Sequence, residues 1–212
     1  MFKMLMLFVA LFTSVCFASG AAAQTAERPD VKLGDLWTYS RTDTRYGQPP
    51  CTYSRLVREV DEKPVLIVDN PKNCQVGVNP VGLEFPLEIG KTWHRKYSSV
   101  SGSVKQESDA TYTVVGVEKI AVPAGTFDAF KIIASINYTI MGTVMMASTG
   151  TTTVTMWYSP QVRKSVKITA RSAFSSPWVG PTSGLVITEL VRYQLAARAT
   201  QAETGQTQPT IQ

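Results

Sequence analysis

The chain is poor in the residues that most often carry chemistry. It has one histidine, His94, and three cysteines, of which Cys16 lies in the N-terminal apolar stretch. One imidazole and so few thiols make no closed zinc set, and the carboxylates lack calcium-loop spacing, so neither a metal nor another cofactor is expected. There is no dense basic stripe. The formal charge of +5 comes from scattered residues, with pairs such as Arg95-Lys96 and Arg163-Lys164 but no long block. Nucleic acid is therefore excluded as an expected partner, and the charge serves solubility. The G-x-S-x-G turn of α/β-hydrolases is missing. Gly90-Lys91-Thr92 is no phosphate loop, because Phe85 stands where the motif needs glycine and a strand-like run follows.

Long apolar runs are also absent, with one exception. Lys3 is followed by a nearly unbroken apolar stretch from Met4 to Ala18, then by Gly20-Ala21-Ala22-Ala23. This is the layout of a secretory signal peptide, with cleavage expected after Ala23. The run is shorter than the roughly 20 residues that cross a bilayer. Thr13-Ser14-Val15 lacks the small residue that precedes a lipidated cysteine. The expected product is a periplasmic or secreted chain with no stable membrane span. Residues 24–31 read as a flexible lead-in, 32–198 as one domain, and 199–212 as a disordered tail poor in large apolar residues.

Cleavage leaves Cys51 and Cys74. Two cysteines in an oxidising compartment join. Residues 52–60 and 64–69 read as strands about a turn at Asp61-Glu62-Lys63, and the two cysteines sit at nearly equal distances from it. In an antiparallel hairpin such residues face each other. Asn70-Pro71-Lys72-Asn73 allows a small offset. The wide spacing argues against a redox pair.

What is abundant is alternation. Phe130, Ile132, Ala134, Ile136, Tyr138 and Ile140 place an apolar side chain at every second position, and Lys131, Ser135, Asn137 and Thr139 fall between them. This is a half-buried strand of an antiparallel sheet. Residues 35–45, 91–100, 110–122, 143–158, 164–174 and 185–195 share the texture, rich in Val, Ile, Thr, Tyr and Trp. Pro123-Ala124-Gly125 reads as a hairpin corner, since proline presets φ and glycine accepts the left-handed conformation. Gly150 is expected to bend or bulge its strand. Leu33-Gly34-x-x-Trp37 echoes Ile89-Gly90-x-x-Trp93. The expected fold is all-β: a strongly curved antiparallel sheet or partly open β-barrel in a single domain.

Gly34-x-x-Trp37, Gly90-Lys91-Thr92-Trp93, the stretch from Val122 to Ile132, and Trp157-Tyr158-Ser159-Pro160-x-Val162 occur in this order. Together they resemble a group of exported bacterial β-sheet proteins, DUF3108-like or TapB-like. Where that pattern often has glycine after Val162, this chain has Arg163. The resemblance implies a curved sheet in the bacterial envelope and carries over no catalytic residue.

Candidate functional residues are therefore aromatic. Trp37, Tyr39, Trp93, Tyr97, Phe130, Tyr138, Trp157 and Tyr193 are expected on the concave face of the bent sheet, and Trp178 in a loop between prolines. Trp37, Trp93, Tyr138, Trp157 and Trp178 form the candidate ligand-binding set, with core packing as the competing reading. His94 falls on the face opposite Trp93. Glu189 alternates with Ile187 and Val191 and is expected to point inward, against an arginine of a neighbouring strand. The function expected is a non-catalytic binding or scaffold protein for an apolar small molecule or lipid. The alternatives are a carboxylate-dependent hydrolase and a structural envelope protein that engages a partner protein.

Overall fold

Period-two sequence becomes strand throughout. The computed structural model describes residues 24–44, 49–61, 63–69, 71, 74, 82–142, 148–176 and 180–197. The expected leader, the expected tail and Trp178 lie outside them. The strands are β1 (Thr25–Ala26), β2 (Leu36–Asp43), β3 (Cys51–Val60), β4 (Lys63–Asp69), β5 (Leu87–Glu88), β6 (Thr92–Ser101), β7 (Val104–Val122), β8 (Gly125–Met141), β9 (Ser148–Ser159), β10 (Lys164–Ser176) and β11 (Gly180–Gln194). Nine of them form one sheet in the order β4-β3-β2-β11-β10-β9-β8-β7-β6, and β1 pairs with β5. All pairings in both sheets are antiparallel.

The sheet is curled but not closed, since β4 and β6 remain its two edges. Its roll shows in contacts between strands that are not neighbours. Ala124, in the β7–β8 turn, donates its N–H to the Leu190 carbonyl of β11 (3.0 Å). Phe127 meets Tyr193 edge-on, with ring centroids 5.9 Å apart. Trp37 Nε1–H donates to the Val162 carbonyl in the β9–β10 turn (2.7 Å), and the Tyr39 hydroxyl donates to the Ser165 carbonyl (3.1 Å). Register shifts at Val114/Gly116, Ser165/Lys167 and Leu190/Arg192 add the local twist that such a roll needs. Gly150 makes no bulge, because β8 and β9 pair without a shift from Ser148 to Tyr158.

Two buried clusters form the core. One gathers Trp93, Tyr112, Val114, Ile132 and Met156, and the N-terminal Ala26 and Leu87 pack into it. Residues 24–31, read from sequence as a lead-in, thus supply β1 and part of the core. The other cluster surrounds Trp37, Tyr39, Tyr53, Val162 and Leu190. Cys51 and Cys74 are joined, with Cα atoms 5.5 Å apart. The turn is tighter than expected, since Val60 pairs with Lys63. That shifts the ladder and leaves Cys74 just beyond it. The corner at residue 123 is likewise tight, with Val122 opposite Gly125.

The two Gly-x-x-Trp stretches are one local structure used twice. Gly34 and Gly90 have φ of +88° and +87°. Each glycine N–H donates to a valine carbonyl on the adjacent strand, Val57 (2.9 Å) and Val114 (2.8 Å). The same valines donate back to the carbonyls of Asp35 (3.0 Å) and Lys91 (2.9 Å). Each stretch thereby delivers its tryptophan to the core.

Asp35 is 0% exposed. Its carboxylate accepts from Arg163 Nη1 (3.0 Å) and from the backbone N–H groups of Lys32 (2.9 Å) and Ala196 (2.8 Å). Arg163 occupies φ +59°, a left-handed conformation that glycine adopts with least strain. An arginine stands in this tight turn because its guanidinium neutralises a buried carboxylate. Replacing it by glycine relieves the backbone and orphans the charge, and the second effect is larger. Arg163→Gly is expected to lower unfolding free energy by about 2–4 kcal/mol in chemical denaturation. Gly90→Ala is a cleaner backbone test, because an added Cβ would meet nothing within 4 Å. It is expected to cost about 1–2 kcal/mol through φ alone.

Candidate functional site

Register lays a row of inward side chains across the open end of the sheet. Tyr97 pairs with Ser108, Ser108 with Tyr138, Tyr138 with Gly150, Gly150 with Phe174, and Phe174 with Thr182. Residues paired in this way share a face. Rings therefore alternate with small residues, and Tyr97, Tyr138 and Phe174 are half-buried. A Cβ on Gly150 would fall 2.3 Å from the Tyr138 ring, so this glycine is the floor on which the tyrosine lies. The row lines an open cavity of about 1050 Å³. That is at the upper end for small-molecule sites.

Of the expected binding residues, Tyr138 lines this cavity. Trp37 is 0% exposed and committed to the core. Trp93 is 6% exposed and stacked on Tyr112, its centroid 5.0 Å from the tyrosine ring and the planes 3° apart. Trp157 pairs with Lys131 on the face opposite Met156 and Tyr158, where it is half-buried and packs against the second cluster, to which Phe127 and Ala129 also belong. Trp178 lies outside the described residues. Phe174, Ser108 and Gly150 did not emerge from sequence reading. The usable signal was a glycine in a strand whose register sets it opposite a tyrosine.

Carboxylates border the cavity without forming an acid–base pair. Glu107 is held by Lys105 (2.6 Å). Asp109 bonds His94 and lies 3.6 Å from Lys96. The His94 hydrogen bond is the largest influence holding the Asp109 carboxyl below its usual range. A general acid needs the opposite shift. His94 is exposed on the outer face, as parity predicts. Glu189 differs from expectation. It faces outward with Lys167, its direct cross-strand partner, at 2.8 Å, and the inward positions of β11 are Val186, Thr188 and Leu190. Asp128, beside the β7–β8 corner, pairs with Lys119 (2.8 Å). Among the described residues no group of three His, Cys, Asp or Glu side chains is placed to hold a metal.

No protein-family model matches the chain, and no curated protein matches it. Two solved structures are similar. One is a protein from Parabacteroides distasonis provisionally named a lipoprotein, at 17% identity and TM-score 0.44, over 80% of this chain and 99% of the other. The second is a provisionally named exported protein with a YmcC-like fold from Bacteroides fragilis, at 13% identity and TM-score 0.31, again over 80% and 99%. At these scores neither likeness carries an argument about what this chain does.

Trp157 is also the centre of a charged cluster. Its Nε1–H donates to Glu118 Oε1 (2.6 Å). Lys131 and Lys167 lie over its ring at 5.6 and 6.0 Å. The indole hydrogen bond, more than Lys131, holds the Glu118 carboxyl below its usual range. Trp157→Phe is expected to raise the Glu118 pKa toward that of an ordinary glutamate, read by NMR titration of its carboxyl carbon. An unchanged titration would mean the lysine governs it.

Proposed function

We propose that the chain is an exported, non-catalytic binding protein of the bacterial envelope, periplasmic or secreted, that holds an apolar or lipid-like molecule across the aromatic row of its concave face. The supporting observation is the alternation Tyr97, Ser108, Tyr138, Gly150, Phe174, which leaves half-buried rings beside open space. A sheet that used these rings only as core would cover them, as it covers Trp93 and Tyr112. Export rests on the leader at residues 1–23, and the DUF3108-like or TapB-like resemblance belongs to the same reading.

A second reading is favoured by β4. This edge strand exposes Val65, Leu66 and Val68 and offers an unpaired side to another strand. Edges of that kind attract pairing partners. On this reading Leu66→Lys abolishes an association seen by sedimentation of the wild type with envelope extract.

The groove is tested with the neutral fluorophore N-phenyl-1-naphthylamine. Saturable uptake is expected, and Phe174→Ala should weaken it about tenfold, the loss of one ring's apolar contact. Gly150→Ala should displace the Tyr138 ring into the cavity and reduce uptake further. Its stability cost should stay at the low end of the about 1–3 kcal/mol of overpacked sites, since the ring has room to swing. Equal uptake by wild type and both variants would remove the groove as the site.

A further inference from the structure

A second cavity lies deeper on the concave face. It measures about 330 Å³ and is lined by Tyr39, Tyr53, Arg55, Phe85, Met156, Tyr158 and Lys164 among others. Along β9, Met156 is six residues from Gly150 of the groove. That spacing puts the two sites about 20 Å apart.

Its electrostatics are unbalanced. Arg55, Arg163 and Lys164 all line it, and so does no carboxylate. Arg163 is bonded to Asp35, whose carboxylate also accepts from two backbone N–H groups. Among the described residues no carboxylate pairs with Arg55 or Lys164. Arg55 Nε is buried and has no hydrogen-bond partner. Its guanidinium is 5.9 Å from the Tyr39 ring centroid and 5.7 Å from that of Tyr53. Lys164 Nζ sits 5.1 Å from the Trp37 ring. Ring faces soften the burial of a cation but do not neutralise it. Opposite these cations the walls are apolar: Leu83, Phe85, Met156 and Ile168.

We propose that this cavity binds a small organic monoanion, a carboxylate carried on a short alkyl chain, with its charge against Arg55 and Lys164 and its chain against Phe85 and Met156. An arginine whose Nε lacks a partner presents a donor suited to a carboxylate oxygen. The volume suits the lower end of small-molecule sites, which use an apolar lining with few polar anchors. Burial first, and then the positive charge of Arg55, hold the Lys164 ammonium below the usual lysine range, with Asp35 opposing. A bound anion relieves both effects. This site is independent of the aromatic groove and stands or falls separately.

The experiment compares octanoate with octanol by calorimetry, and follows the Met156 methyl resonance by NMR. Octanoate is expected to bind at least about tenfold more tightly than octanol, and to shift the Met156 methyl. Arg55→Met should weaken octanoate by about tenfold or more while leaving octanol unchanged. Phe174→Ala, in the groove, should leave octanoate unaffected. Equal affinities for octanoate and octanol in the wild type would overturn the proposal, as would an unmoved Met156 methyl. So would octanoate affinity retained in a folded Arg55→Met. Should that variant fail to fold, the wild-type comparison of acid and alcohol still decides, and Lys164→Gln supplies the charge deletion at a second cation of the cavity.

Discussion

A carboxylate with no access to water needs a cation, and Asp35 obtains one from a turn two strands away. The pair joins the start of β2 to the turn between β9 and β10, with β11 standing between β2 and β10 in the sheet. Through Ala196 it also fastens the chain that leaves β11. A flat sheet would hold these parts apart. Once the pair forms, Trp37 can reach the Val162 carbonyl and Tyr39 the Ser165 carbonyl, and the second core cluster closes. The cost is a left-handed arginine, tolerated because the ion pair outweighs about 1–2 kcal/mol of backbone strain.

The roll brings the sheet's ends into different states. Toward β1 and β5, the concave face is filled by Trp93, Tyr112, Ala26 and Leu87. Toward the β8–β9 and β10–β11 connections, Ser108 and Gly150 stand between the rings, and space remains. Between the tightly packed regions lies the smaller cavity, where cations outnumber carboxylates. Buried charge is unfavourable for folding alone. Its presence beside apolar walls is the feature of the interior that packing does not explain.

The convex face has a separate logic. Thr111, Thr113, Thr151 and Thr153 face solvent among ion pairs such as Lys131–Glu118 and Lys167–Glu189. β-Branched hydroxyl residues keep extended backbone while remaining wet. The charged edge β6, with His94, Arg95 and Lys96, resists further pairing, and β4 with its exposed valines does not.

Period-two alternation is a local property, so most strands, their faces, the outward position of His94 and the hairpin corner at Pro123 could be read from neighbouring residues alone. The polar strand starts at residues 104–109 and 180–184 were illegible, because their extended form comes from pairing with a neighbour and not from their own preference. Register and roll are relations between residues far apart in the chain. Tyr138 over Gly150, Arg163 against Asp35, and Arg55 beside Lys164 exist only after the bulges have bent the sheet and the strands have locked in step. Those relations belong to the folded sheet, because no short window of sequence contains both partners.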